Sequence, residues 1–195
     1  VNSFGSIAMA GNAAASNIEG FVYTAQNSVY QGAITFVSQN VGAGKPKRVY
    51  RIMLCCYLLG IAVSTVGGLS VFFSRAPLLA LYGVKESVTD PLAHLAFETA
   101  TIRMSYLMLP YLTISLMDVG CGILRGLGKS ISSMVISLMG ACVFRVIWLA
   151  TVFKAYPSLH TIYVSYPVTG TLTAIVSFIY ILVTLRRLVR AEKTS

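Results

Sequence analysis

Four long apolar stretches constrain the fold of this chain more than any other feature of its sequence. They cover about residues 51–74, 99–124, 130–153 and 162–185. The hydrocarbon core of a bilayer is about 30 Å thick, so an α-helix needs about 20 mostly apolar residues to cross it. Each stretch is long enough, and the sequence therefore predicts four transmembrane helices.

Composition and charge favour the same class of protein. Hydrophobic residues make up 56% of the 195 residues and charged residues 11%, whereas a soluble domain carries about 25% charged residues. The net charge is +9, but the basic residues gather at the ends of the apolar stretches, where they encode membrane topology. We therefore expect a lipid bilayer, and no nucleic acid, as partner.

A fifth span is predicted at about residues 8–40, although several polar residues lower its hydropathy. The polar residues recur at intervals of 4, 3, 4, 3 and 4, which places them on one stripe of a helix. That stripe comprises Asn12, Ser16, Glu19, Tyr23, Gln26 and Tyr30. The pattern indicates a long span with one wet face.

Helix-breaking residues and loop charges give a topology. Gly126 and Gly128 are predicted to end one span, and Pro157 to separate the last two. If the segment near residue 45 is cytoplasmic, ten basic residues lie inside and three outside, so the C-terminus is cytoplasmic. The inner ten are Lys45, Lys47, Arg48, Arg51, Arg125, Lys129, Arg186, Arg187, Arg190 and Lys193, and the outer three are Arg75, Lys85 and Lys154.

The remaining stretch, residues 75–95, is expected to be an external loop with a short interfacial helix around Leu78 to Leu81. The fold class is thus an all-α membrane protein, with residues 1–195 forming a single transmembrane lobe. Five spans suggest a six-helix lobe whose first helix lies mostly upstream. No motif repeats within the chain, so a partner lobe would also lie outside it.

Ionisable residues at membrane depth are the functional candidates, because each costs about 2.5 to 3.5 kcal/mol at a helix centre on insertion scales. Glu19 is the principal one. With Asn12, Tyr23 and Gln26 around it, its carboxylate suits a proton relay, a weak sodium site or an anchor for a cationic cargo. The alternative is that Glu19 pairs with Arg103 or Arg145 and only holds helices together.

Asp118 and Arg145 are the supporting charges. Asp118 is expected to face a water-filled vestibule or to pair with Arg125 or Lys129. Arg145 is deep enough to need a counter-ion, for which Glu19 or Asp118 would serve, and a structural latch is favoured over contact with cargo.

Other polar and aromatic residues are weaker candidates for a functional site. Glu98 and Arg103 lie near the external end of their helix, where an exposed pair is the default expectation. His94 and Glu98 are four residues apart, but two metal ligands alone make a weak site. Tyr23 and Tyr106 are the aromatic residues expected to line a cavity. The sequence has no catalytic motif, so we expect neither an enzyme nor a cofactor.

Two glycine-rich motifs carry a resemblance to a known family. The run from Ser38 to Lys45 with Arg48, and the run from Gly122 to Ser130 followed by Arg145 and Trp148, resemble the matching loops of a half-unit in the multidrug and toxic compound extrusion (MATE) family. The opening residues Val1 to Gly5 and the late Tyr166-Pro167-Val168 fit its C-terminal half. The resemblance covers nearly the whole chain.

The resemblance implies a twelve-helix antiporter with two six-helix lobes and alternating access, of which this chain is helices eight to twelve. It also implies export of organic cations, drugs or other amphiphiles across the plasma membrane, driven by sodium or protons. The N-terminal half of the same transporter would be its partner.

Three functions remain open. The leading hypothesis is the ion-coupled antiporter, with Glu19 as principal cation-binding group. A flippase for lipid-linked precursors would need a cationic cavity to hold phosphates. A non-transporting scaffold subunit would have a dry interior around Glu19.

Overall fold

The computed structural model describes residues 6–84, 90–108, 110–154, 156 and 158–194. Regular structure within these residues is entirely helical, which confirms the all-α class. The seven helices are α1 (Ser6–Gly42), α2 (Pro46–Phe73), α3 (Arg75–Leu81), α4 (Pro91–Met108), α5 (Tyr111–Gly126), α6 (Ser130–Phe153) and α7 (Leu159–Thr194). Val1 to Gly5, Lys85 and Pro157, which entered the sequence predictions, lie outside the described residues.

Three helices, α2, α6 and α7, are long and apolar enough to cross a membrane. The pair α4 and α5, bent by 50°, meets the same test when taken together. The chain is thus an all-α membrane protein. Helix α1 has 37 residues, which is more than a span needs, but it does not meet the hydropathy test. The count of five spans stays a prediction.

The predicted span at 99–124 is two helices rather than one. Helix α4 ends at Met108, and α5 begins at Tyr111 directly after Pro110. Proline has no N–H to donate and its ring clashes with the preceding turn, so it ends or bends a helix. The short helix predicted around Leu78 to Leu81 is present as α3.

Two glycine turns join long helices, and the second, at Gly128, is the one that the sequence predicts. Gly44 and Gly128 have φ angles of 66° and 75°, in the left-handed region that glycine enters without steric cost. In each turn a lysine N–H closes the preceding helix: Lys45 N donates to Asn40 O, and Lys129 N donates to Leu124 O, both at 2.9 Å.

Both glycine turns lie at the same end of the bundle. Helices α1 and α5 run parallel, because Gly122 packs on Tyr30 and Gly126 packs on Val37. Helix α7 runs in the same direction, since its Gly170 faces Thr113 and a later residue on α7, Ser177, faces Gly120. The basic residues of both turns and of the C-terminal part of α7 therefore gather at one end.

The apolar core is divided into two clusters, one toward each end. The cluster near the glycine turns includes Val37, Val49, Leu124, Leu127 and Leu185. The other joins the first half of α1 to α3, α4 and the start of α7. Between them lies a layer of fully buried polar side chains, Gln26, Ser115 and Ser177.

Candidate ion and cargo site

The first three residues of the polar stripe of α1, Asn12, Ser16 and Glu19, face α4 and surround one guanidinium group. Arg103 Nη2 lies 2.7 Å from Glu19 Oε2 in a salt bridge. Arg103 Nη1 donates to Asn12 Oδ1 at 2.8 Å, and Nη2 donates to Ser16 Oγ at 3.4 Å. Three side chains from successive turns of α1 thus hold one arginine of α4.

Helix α7 joins the same cluster through Tyr163. Its buried hydroxyl donates to Asn12 Oδ1 at 2.8 Å, so this amide oxygen accepts bonds from both α4 and α7. Asn12, Ser16, Glu19, Arg103 and Tyr163 are called the arginine clamp below. It ties three helices together within the apolar cluster that contains Tyr163.

The expectation that Arg103 is an exposed surface residue is therefore wrong. Its side chain is only 12% exposed, while Glu98 is exposed as expected. The sequence did contain a signal: Ala96 and Ala100 are small residues on one face of α4, and Arg103 follows on that face one turn later. Both alanines are buried, and Ala96 meets Gly11 of α1 backbone to backbone.

A first cavity, of about 220 Å³, opens beside the clamp between α1, α5, α6 and α7. Its lining combines two carboxylates and one guanidinium with three tyrosine rings and apolar residues. These residues are Glu19, Tyr23, Tyr111, Ile114, Met117, Asp118, Ala141, Arg145, Tyr166, Thr169 and Gly170. Glu19 contributes to this wall while it is paired with Arg103.

A second cavity, of about 360 Å³, adjoins the first toward the glycine turns. Its lining includes Asn27, Tyr30, Cys121, Arg125 and Ser137. Tyr23, Met117 and Asp118 line both cavities. The Arg125 guanidinium lies 5.6 Å from the centre of the Tyr30 ring.

The carboxylate of Asp118 lines both cavities and is not paired with any described residue. Within the described part of the chain it has no hydrogen-bond or ion-pair partner, so the alternative in which it pairs with Arg125 or Lys129 is not formed. It stands on a helix whose neighbouring positions, Val119 and Ser115, are fully buried. A partly buried carboxylate in this setting is free to bind a cation that enters either cavity.

Arg145 lies across the first cavity, on the short α-helical stretch Phe144–Trp148 between two π-helical turns of α6. Its Cζ is 4.0 Å from the centre of the Tyr166 ring, a cation–π contact. The expectation that Glu19 or Asp118 is the counter-ion of Arg145 is wrong, because neither pairs with it in the described structure and its Nε is buried without a partner.

Two residues expected in the site lie elsewhere. Gln26 is on the predicted stripe but lines neither cavity. It is fully buried and faces Gly60 and Ser115, and its amide has no partner among the described residues. Tyr106 contacts His160 instead, through its ring and through a 3.1 Å hydrogen bond between its hydroxyl and His160 Nδ1.

The fold and the cavities define a class of protein. A bundle of long apolar helices that keeps carboxylates, guanidinium groups and tyrosine rings around an accessible space is typical of a membrane transporter. The MatE family model matches residues 1–151, which is most of the chain. The chain therefore belongs to the MatE family, whose members are membrane efflux transporters. A comparison with curated proteins gives no match.

Proposed function

We propose that the protein exports amphiphilic or cationic small molecules across the plasma membrane in exchange for sodium or protons, by alternating access. One observation carries the proposal: the uncommitted carboxylate of Asp118 faces two adjoining cavities lined by aromatic rings. Tyrosine faces attract organic cations, and a carboxylate binds either a metal cation or a proton. Cargo and coupling ion would therefore compete for one group.

Competition of this kind is sufficient for exchange. If Asp118 binds the coupling ion in one state and the cationic group of the cargo in the other, the two occupants exclude each other. The states must differ in their affinity for each occupant, since a ligand that binds both states equally shifts nothing.

Glu19 takes a different part in this proposal from the one its position in the sequence suggests. Its carboxylate already neutralises Arg103, so it binds a cation only when that pair opens. We therefore assign the first binding of the ion to Asp118, and we assign to Glu19, with Asn12, the stability of the wall beside it. Tyr23 lines both cavities and would contact cargo.

The alternatives receive less support from the cavities. A scaffold would need a dry interior around Glu19, whereas Glu19 lines a cavity. A flippase for phosphate-bearing precursors would favour a cationic cavity. The ionisable residues lining the two cavities are balanced: Glu19 and Asp118 are acidic, and Arg125 and Arg145 are basic.

The arrangement within the membrane is part of the proposal. The gathering of basic residues at the end with the glycine turns supports a cytoplasmic position for that end and for the C-terminus. A second six-helix lobe, the N-terminal half of the transporter, would then cover the open side of the cavities.

Transport by the reconstituted transporter, with its N-terminal half present, tests the proposal. Liposomes containing the protein are loaded with rhodamine 123, a cationic dye, and efflux is measured under an imposed sodium or proton gradient. Asp118→Asn keeps the size of the side chain but removes its charge, so gradient-driven efflux should fall at least about tenfold. Glu98→Gln, an exposed acid outside both cavities, is the matched control and should transport normally.

The variant Glu19→Gln distinguishes the role of Glu19 in transport from that of Asp118. It should reduce transport less than Asp118→Asn does, because the clamp keeps two of its three acceptors for Arg103. Normal gradient-driven efflux by Asp118→Asn, with loss in Glu19→Gln, would reverse the assignment. Absence of gradient-driven efflux in the unmodified transporter, reconstituted with its N-terminal half, would reject the antiporter itself.

A further inference from the structure

The guanidinium of Arg145 has N–H donors that make no hydrogen bond to any described residue. An arginine carries five N–H donors in one plane, and the side chain of Arg145 makes no hydrogen bond or ion pair with any residue that the structure describes. Its contact is with the face of the Tyr166 ring. A ring contact leaves the in-plane donors of a guanidinium unoccupied, and a buried donor without an acceptor, such as Nε of Arg145, is costly.

The described residues that line the same cavity do not supply the missing acceptor. Glu19 lines the cavity but is in a 2.7 Å salt bridge with Arg103. Asp118 lines it too, yet makes no ion pair with Arg145. The cavity thus holds one uncommitted negative group and one uncommitted positive group, facing the same space of about 220 Å³.

We propose that Arg145 binds a carboxylate carried by the cargo while Asp118 binds the cationic group of the same molecule, so that the preferred cargo is a zwitterion. The planar fork of a guanidinium matches a carboxylate with two parallel hydrogen bonds. The aromatic walls, Tyr23, Tyr111 and Tyr166, accommodate the body of the molecule between its charges. This inference rests on the proposed export function and names the substrate class for it.

Two dyes that differ in one group test the inference. Rhodamine 110 carries a free carboxylate and a cationic ring system, and rhodamine 123 is its methyl ester. Arg145→Gln should raise the KM for rhodamine 110 efflux by about tenfold or more, the loss expected when a charge-assisted pair is removed. The KM for rhodamine 123 should change by less than about twofold. Arg145→Lys, which keeps the charge but not the fork, should lie between.

Arg75→Gln is the matched control. Arg75 also lies over an aromatic ring, with its Cζ 4.8 Å from the centre of Phe72, but it lines neither cavity of the site. Its substitution should leave both KM values unchanged. Equal losses for both dyes in Arg145→Gln, or no loss for either, would overturn the inference.

The outcomes separate this inference from the proposed function. Gradient-driven export of rhodamine 123 without any Arg145-dependent preference between the dyes rejects the inference and keeps the antiporter. If the unmodified protein exports neither dye, equilibrium binding of both to detergent-solubilised protein gives the same comparison.

Efflux is also measured with and without phosphatidylglycerol in phosphatidylcholine liposomes. An Arg145 effect that appears only with the anionic lipid assigns the residue to a lipid headgroup and overturns the inference.

Discussion

Two arginines within the helical bundle have opposite surroundings. Arg103 donates to Asn12, Ser16 and Glu19 and is locked between α1 and α4. Arg145 rests on the Tyr166 ring, and its polar atoms have no partner among the described residues. Both side chains carry the same charge, and both lie beside Glu19, the first through a bond and the second across a cavity.

The difference shows which arginine holds the fold and which is available for binding. A guanidinium whose donors are met by side chains of a neighbouring helix stabilises the packing of the two helices. One that keeps its donors toward a cavity contributes little to packing and can bind a ligand. Substitutions at the two positions should therefore separate stability from transport.

Replacing Arg103 with Leu should have the largest effect on stability. It leaves the Glu19 carboxylate, only 20% exposed, without its counter-ion, and breaking a buried pair in this way costs about 3–5 kcal/mol. Thermal unfolding of the purified protein in detergent should show a markedly lower Tm. The double variant Arg103→Leu, Glu19→Leu should recover part of the loss, because no buried charge remains. An unchanged Tm in the single variant would show that the clamp is not structural.

Asn12→Ala should have the next largest effect. The amide oxygen accepts bonds from Arg103 and from the Tyr163 hydroxyl, and losing both should cost about 2 kcal/mol. Asn17→Ala, an exposed position on the same helix, provides the control in the same unfolding assay. Equal Tm values for the two variants would contradict the place of Asn12 at the junction of three helices.

The clamp also shows how far the sequence could predict the site. The spacing along α1 correctly placed Asn12, Ser16 and Glu19 on one face, and pairing of Glu19 with Arg103 was one stated alternative. Periodicity predicts which residues share one face of α1, but it does not predict which helix packs on that face. Which arginine reaches Glu19 depends on where α4 and α6, far apart in sequence, lie relative to α1: α4 packs directly on α1, whereas Arg145 of α6 faces Glu19 across the cavity.

Gln26 and Pro110 are two further places where the prediction from sequence differs from the structure. The stripe assigns Gln26 to the face of Glu19, but at that level α2 and α5 enclose α1, and Gln26 faces Gly60 and Ser115. Hydropathy gave one span at 99–124, whereas Pro110 divides it into two helices. The all-α class and the turn at Gly128 were predicted because they depend only on local sequence.

Tyr163→Phe tests the link from the clamp to α7 and should have a smaller effect. It removes one hydrogen bond, the one donated to Asn12 Oδ1 at 2.8 Å, while the aromatic ring remains in the core. The expected loss is about 1 kcal/mol. In the Asn12→Ala background the same substitution should cost less, because the bond is already absent. Fully additive losses would show that the hydroxyl contributes through a different contact.

Arg145→Gln should have the smallest effect on stability, and it is the test on which the comparison depends. The contact that it removes is the cation–π interaction with Tyr166, and such contacts contribute about 0.5 to 2 kcal/mol. The glutamine also brings fewer donors into the bundle without acceptors, which offsets part of that loss, so the net change should be below about 1 kcal/mol. The Tm should stay near that of the unmodified protein and well above that of Arg103→Leu.

Tyr166→Leu removes the ring and gives an independent measure of the same contact. If Arg145→Gln lowers the Tm as far as Arg103→Leu does, Arg145 is a structural latch. The two arginines would then be alike, and a carboxylate-binding role for Arg145 would lose its basis.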